Sequence, residues 1–203
     1  MIPLNTIFVI LLFAHTIQKR NDITIYTESL CPDCKNFFIN SFASALNTTF
    51  NFNNVMIIPF GNAEVNKEKN GFEFICQHGF KECYGNMIHS CTIDIIKERK
   101  KALDYIVCYE REVFKNENNF NKTVNICVND KKEAESIKQC ASSERGLKLM
   151  RKMNKMTPSY IDYVPYIVVN GVHNKDAETK IIKNFTEYIT EEIKTKRINK
   201  RLK

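Results

Sequence analysis

Hydrophobic patterning predicts two strands joined by a helix near the N-terminus. Residues 23–27 alternate apolar and polar side chains, which is typical of a half-buried strand. Residues 55–60 form a short apolar run that predicts a second, buried strand. Between them, apolar residues recur at helical spacing at Phe38, Phe42, Ala45 and Leu46. Pro32 suits the first position of that helix, where its missing N–H is not needed.

The C-terminal part predicts a hairpin followed by a helix. Residues 163–173 contain two apolar runs separated by Asn170-Gly171, a pair that favours a two-residue hairpin turn. Residues 177–194 place an apolar stripe on one helical face, formed by Ile181, Ile182, Phe185, Ile189 and Ile193.

The middle of the chain, residues 61–158, contains six of the eight cysteines. Two long helical stretches are predicted there, residues 86–114 with a break near Lys100, and residues 133–155. Residues 115–122 are polar and rich in Asn, which indicates a loop.

The order of elements predicts an α/β protein with a thioredoxin-like fold. A strand leads into Cys-x-x-Cys and a helix, and a second strand, a helical segment, a Pro-led hairpin and a helix follow. We therefore expect an inserted helical, disulfide-stapled subdomain within the fold. The expected boundaries are a signal peptide (1–18), the first part of the thioredoxin-like domain (19–60), the insertion (61–158), its second part (159–193) and a basic tail (194–203).

The N-terminus indicates the secretory route. Residues 7–14 are an uninterrupted apolar run, too short to span a bilayer but typical of a signal peptide. A buried strand or a short membrane anchor is the alternative. Eight cysteines fit an oxidising compartment. Candidate N-glycosylation sites lie at Asn47, Asn121 and Asn184.

The net charge of +7 does not predict a nucleic-acid partner. The last ten residues carry six of these positive charges, so the rest of the chain is nearly neutral. No later apolar stretch is long enough for a membrane span in the mature chain.

Cys31-Pro32-Asp33-Cys34 admits three interpretations. At a helix N-terminus, unpaired N–H groups favour a Cys31 thiolate that attacks disulfides, with Cys34 resolving the mixed disulfide. The same spacing also occurs in zinc knuckles. Each cysteine could instead bond to a distant partner. The position between a strand and a helix favours redox chemistry.

Pro165 lies just before a predicted strand. Thioredoxin-like folds carry a cis proline at this place, facing the active-site cysteines, and the Val164–Pro165 bond would then leave backbone groups free for a substrate strand. A trans proline at the start of an edge strand is the alternative.

Residues 76–91 carry a dense motif, Cys-Gln-His-Gly-x-x-Glu-Cys-x-x-Asn-x-x-x-x-Cys. It resembles the signature of the gamma-interferon-inducible lysosomal thiol reductase (GILT) family. The resemblance continues at Cys108, Cys127, Cys140, residues 144–146 and the hairpin, from about residue 25 to 171.

The resemblance implies a thiol-disulfide oxidoreductase of an acidic endo-lysosomal or extracellular compartment. Cys31 would be the nucleophile and Cys34 the resolving thiol, with Pro32, Asp33, Val164 and Pro165 as supporting residues. The expected partners are disulfide-containing protein substrates and a small-molecule or protein thiol as reductant. No cofactor and no metal are expected. The other candidate is a non-catalytic secreted binding module, stabilised by zinc or disulfides.

The six remaining cysteines are expected to form three structural disulfides, namely Cys76, Cys83, Cys91, Cys108, Cys127 and Cys140. Spacing does not choose among the pairings, although Cys127 with Cys140 is favoured slightly. Zinc binding by the cysteines of the signature with His78 is the alternative. His78 and Glu82 are candidates for tuning the site or for turn formation and capping, whereas His89 and His173 are expected to be surface or hydrogen-bonded histidines.

Overall fold

The computed structural model describes residues 23–66, 73–116 and 119–192. The predicted signal peptide and basic tail lie outside the described residues. A mixed four-stranded sheet has the order β2-β1-β5-β6, and β3 and β4 form a separate small hairpin. The strands are β1 (Ile23–Thr27), β2 (Val55–Pro59), β3 (Glu64–Val65), β4 (Phe74–Ile75), β5 (Tyr166–Val169) and β6 (Val172–His173).

β1 is the central strand of the larger sheet. It pairs in parallel with β2, where Ile25 faces Ile57, and antiparallel with β5, where Ile25 faces Ile167. The parallel pair needs a crossover, and the helix predicted after Pro32 supplies it. The predicted hairpin is confirmed, since β5 and β6 are antiparallel and Asn170 and Gly171 adopt positive φ values of 54° and 77°.

Helices cover both faces of the sheet. Their bounds are α1 (Pro32–Asn36), a π-helical segment (Phe37–Phe42), α2 (Ala43–Ala45), a 3₁₀ turn (Phe52–Asn54), α3 (Phe80–Ile95), α4 (Arg99–Glu112), α5 (Phe120–Cys127), α6 (Lys131–Ala141), α7 (Glu144–Met156) and α8 (Lys175–Lys183). Residues 185–192 are helical again. None of these helices, within the described parts of the chain, is long and apolar enough to cross a membrane.

Alternation along β1 divides the core into two clusters. Ile23 and Ile25 pack with the π-helical segment, α8 and one face of α4, whereas Tyr26 packs with the other helices of the cysteine-rich segment. The first cluster is rich in fully buried aromatic rings, with Phe42 and Phe185 centred 4.8 Å apart. The loop after β1, residues 28–31, therefore starts from a strand that is packed on both faces.

Three long helices predicted from periodicity are each interrupted. The first ends at Ile95 and restarts at Arg99, close to the break expected near Lys100. The helix predicted over residues 133–155 is divided at Ser142 and Ser143, and the C-terminal helix is divided at Asn184. A new helix begins after each of these breaks. Apolar periodicity continues across such breaks because successive helices use the same core.

The six cysteines outside the Cys-x-x-Cys motif form three disulfides in the cysteine-rich segment. The pairs are Cys76–Cys83, Cys91–Cys140 and Cys108–Cys127. The preference for Cys127 with Cys140 was wrong. α5 lies against α4 as well as α6, and α3 packs closely on α6. Cys108 on α4 therefore meets Cys127 on α5, and Cys91 on α3 meets Cys140 on α6, whereas Cys76 and Cys83 close a short local loop.

Candidate active site

Cys31 occupies the N-cap of α1, at the end of a sharp turn after β1. Leu30 has a positive φ of 67°, an uncommon conformation for a residue with a side chain. It directs the chain so that Pro32 begins the helix, as predicted. The Cys31 sulfur then accepts the backbone N–H of Cys34 at 3.3 Å. A negative charge on this sulfur is stabilised by the unpaired N–H groups of the helix start.

The two thiols have opposite electrostatic environments. The hydrogen bond from the Cys34 thiol, helped by the backbone N–H groups of Cys34 and Asp33, lowers the pKa of Cys31 to about 7 although burial opposes this. Burial raises the pKa of Cys34 well above its ordinary value. Cys31 is 7% exposed and Cys34 is fully buried. At neutral pH Cys31 is thus the more available nucleophile.

The Val164–Pro165 peptide bond is cis, which decides between the two alternatives for this proline. The Cys31 thiol lies 3.9 Å from the carbonyl oxygen of Val164, across the space between the helix start and the loop before β5. Asp33 is exposed and lines a groove of about 410 Å³ together with Val164 and Pro165. The structure therefore brings together all six residues that the sequence placed at the site.

Residues of the signature motif on α3 contact the loop that joins β1 to α1 and carries Cys31. Asn86 is fully buried on α3, and its side-chain oxygen accepts the backbone N–H of Ser29 at 2.7 Å. Its amide nitrogen donates to Glu82 at 3.4 Å. Gly85 allows this approach, because an added Cβ would lie 2.2 Å from the Ser29 hydroxyl. The signature motif thus supports the backbone just before Cys31.

Glu28, His78 and Glu82 form a cluster next to this support. The backbone N–H and the Nδ1 atom of His78 each lie 2.7 Å from Glu82 Oε2. Glu28 accepts a hydrogen bond from the backbone N–H of Asn62. Burial, followed by the neighbouring Glu82 charge, raises the pKa of Glu28 to about 7. Sequence reasoning named His78 and Glu82 but missed Glu28, whose only signal was its position at the end of β1.

A second buried pair lies on α3 and α4. His89 is 1% exposed and Glu110 is fully buried, and their side chains approach to 3.3 Å without the alignment of a hydrogen bond. Among the described residues neither ring nitrogen of His89 has a hydrogen-bond partner. Burial lowers the pKa of His89 to about 3 and raises that of Glu110 well above its ordinary value. The expectation of a surface or hydrogen-bonded His89 was therefore wrong, whereas His173 contacts Tyr163 and Glu178 as expected.

The disulfides exclude one of the earlier alternatives. Because Cys76, Cys83 and Cys91 are oxidised, they cannot supply thiolates to zinc beside His78. Within the described residues only Cys31 and Cys34 are free. The three candidate glycosylation residues are exposed, at Asn47, Asn121 and Asn184.

The fold and the site define a disulfide-rich α/β protein with one free cysteine pair at a helix N-terminus. The family model described as gamma interferon inducible lysosomal thiol reductase (GILT) matches residues 22–144, more than half of the chain. The chain belongs to the GILT family.

Three curated relatives show how far the similarity extends. The chain is 31% identical over 165 residues to the gamma-interferon-inducible lysosomal thiol reductase of Carassius auratus, covering 78% of this chain and 62% of that protein. It is 31% identical over 160 residues to the protein of the same name in Mus musculus, covering 76% and 62%. GILT-like protein 1 of Drosophila melanogaster is 30% identical over 190 residues, covering 83% and 74%. The chain thus spans about three fifths of the length of the first two relatives.

Proposed function

We propose that this chain is a thiol-disulfide oxidoreductase that reduces protein disulfides, with Cys31 as nucleophile and Cys34 as resolving thiol. The observation that carries the proposal is the asymmetry of the pair. Cys31 caps a helix with a lowered pKa, and Cys34 lies fully buried one turn further on with a raised pKa. The names of the curated relatives, two of which are thiol reductases, support the same activity.

The reaction follows from this arrangement. The Cys31 thiolate attacks one sulfur of a substrate disulfide, forming a mixed disulfide while the other substrate sulfur leaves as a thiolate. Cys34 then loses its proton and attacks Cys31, which releases the second substrate thiol and leaves a Cys31–Cys34 disulfide. An external small-molecule or protein thiol supplies the two electrons that restore both cysteines. No step needs a bound cofactor.

The raised pKa of Cys34 keeps this thiol protonated, and therefore unreactive, until Cys31 has attacked the substrate. As long as Cys31 is a thiolate, its charge and the burial of Cys34 keep the second thiol protonated. Once Cys31 is bonded to substrate that charge is gone, so Cys34 ionises more easily. The cis Val164–Pro165 segment faces Cys31, where its backbone would align an extended substrate strand, and Asp33 lines the groove beside it. Pro32 starts the helix that carries Cys34.

We further propose a thioredoxin-like fold for the sheet and its flanking helices, with residues 61–158 as the insertion. The parallel β1–β2 pair, the cysteines at the helix start and the cis proline before β5 support it. Three disulfides and exposed sequons at Asn47, Asn121 and Asn184 support a secreted or endo-lysosomal location.

An insulin-type disulfide reduction assay tests the activity. We expect turnover by the wild-type protein with an added thiol, and a background rate for Cys31→Ser of the same fold. Near-ultraviolet circular dichroism of both proteins controls for folding. Equal rates for the two proteins would refute the proposal.

A further inference from the structure

Glu28, His78 and Glu82 converge although they come from different segments. Glu28 follows β1, whereas His78 and Glu82 belong to the loop and first turn of α3 that the Cys76–Cys83 disulfide closes. Each residue offers one ligand atom, which is a carboxylate oxygen in Glu28 and in Glu82 and a ring nitrogen in His78. These three atoms all lie within 4.8 Å of one another.

The buried carboxylates make this cluster unlike a solvated acidic surface. Both glutamates are fully buried, and Glu28 Oε2 accepts no hydrogen bond from any described residue. The Nδ1 atom of His78 lies 3.9 Å from this oxygen. A buried carboxylate oxygen without a hydrogen-bond donor is unfavourable, so a cation at this point would stabilise it.

We propose that Glu28, His78 and Glu82 form a binding site for a divalent transition-metal ion, with zinc as the best match. Zinc binds imidazole nitrogen and carboxylate oxygen at about 2.0–2.2 Å, which places tetrahedral ligand atoms about 3.4 Å apart. His78 Nδ1 lies 2.7 Å from Glu82 Oε2 and 3.9 Å from Glu28 Oε2. One distance is shorter and the other longer than the separation expected between two zinc ligands.

The ligand set selects among ions. An imidazole ligand favours zinc over calcium and magnesium, which prefer oxygen ligands only and higher coordination numbers. The side chain of His78 is 35% exposed, so the site opens to solvent on that side. Three protein ligands leave a fourth position for water, as in zinc sites that are not purely structural.

The test uses the protein with Cys31→Ser and Cys34→Ser, so that free thiols cannot bind the ion. Isothermal titration calorimetry with zinc chloride at pH 7.5 should show one ion per chain. His78→Ala in the same background should weaken binding by ~10-fold or more, since loss of even an outer-shell partner typically costs 10- to 100-fold. Calcium and magnesium should bind far more weakly than zinc.

His173→Ala is the matched control, because His173 also contacts a buried glutamate, Glu178, but no second carboxylate of the described residues. Its zinc affinity should equal that of the parent. Zinc should also raise the melting temperature of the parent and of His173→Ala, but not that of His78→Ala, which separates binding from misfolding. Absence of zinc binding in the parent, or an unchanged affinity in His78→Ala, would overturn the proposal and leave the reductase assignment untouched.

Discussion

Asn86 holds the backbone of Ser29, since its side-chain oxygen accepts the Ser29 N–H at 2.7 Å across 57 positions of sequence. This contact joins the signature on α3 to the loop that presents Cys31. The signature therefore has a physical role apart from its three disulfide-bonded cysteines, Cys76, Cys83 and Cys91. It fixes the approach of the chain to the N-terminus of α1.

Replacing Asn86 should weaken the protein measurably. Asn86→Ala leaves the buried Ser29 N–H without its acceptor, so we expect the free energy of unfolding to fall by about 1–3 kcal/mol. Urea denaturation would measure this. Asn129→Ala, which removes an exposed amide, should change stability by no more than about 0.5 kcal/mol. Equal effects of the two substitutions would contradict the role assigned to Asn86.

Asp33 acts on Cys31 in two opposite directions. Its backbone N–H lowers the pKa of the Cys31 thiol, whereas its negative charge raises it. Asp33→Asn keeps the N–H and removes the charge, so the Cys31 pKa should fall below the wild-type value of about 7. Thiolate absorbance against pH measures both values, with Asp162→Asn, an exposed acid elsewhere, as control. Superimposable curves for wild type and Asp33→Asn would show that the charge is fully screened.

His89 should make the protein less stable in acid. Its pKa is about 3 in the folded protein and 6.5 in the unfolded chain, so the unfolded chain binds more protons between these values. The stability contributed by neutral His89 is complete above pH 6.5 and is lost as the pH falls towards 3. Between pH 7 and pH 5 this loss is about 2 kcal/mol.

Denaturation of His89→Leu and wild type at pH 7, 6 and 5 tests this pH dependence. Wild type should lose stability more steeply, because leucine has no proton to bind. Glu110 contributes with the opposite sign, since its raised pKa means that its share is lost as the pH rises above its ordinary value of 4.5. Parallel curves for the two proteins would contradict a neutral, buried His89.

The disulfides should differ in their contribution to stability. A longer closed loop restricts the unfolded chain more, so Cys91–Cys140, separated by 49 residues, should contribute about 4 kcal/mol. Cys76–Cys83, separated by 7 residues, should contribute about 2.5 kcal/mol. Urea denaturation of variants in which both cysteines of one pair are replaced by alanine would give the order of the two contributions.

The pairing itself is also testable. Peptide mapping without reductant should recover the three pairs seen here, and any peptide joining Cys127 to Cys140 would contradict them.

Local patterns were sufficient for the four strands of the larger sheet, the Asn170-Gly171 turn and the helix after Pro32, whereas the short strands β3 and β4 were not predicted. The predicted elements depend on alternation, a positive φ and a proline, all of which are visible in neighbouring residues. Cys31, Cys34 and Pro165 could also be named, because their spacing and order have chemical meaning.

The remaining features depend on contacts between distant segments. Nothing near Cys127 indicates that it meets Cys108 rather than Cys140, since the choice follows from how α4, α5 and α6 pack. Glu28 and Glu110 are single acidic residues in sequence, and only the fold buries them near the cysteines. The expectation that His89 is at the surface or hydrogen-bonded was wrong, because its burial without a hydrogen-bond partner depends on how α3 and α4 pack.

Trapping of the mixed disulfide tests the central claim most directly. Cys34→Ser keeps the Cys31 nucleophile but removes the resolving thiol, so a disulfide-containing protein substrate should accumulate covalently on Cys31. Non-reducing peptide mapping by mass spectrometry would locate the bond, with Cys31→Ser as the paired control. The account predicts an adduct at Cys31 in Cys34→Ser and none in Cys31→Ser. A substrate bonded to Cys34 in Cys31→Ser, or no adduct in Cys34→Ser, would contradict it.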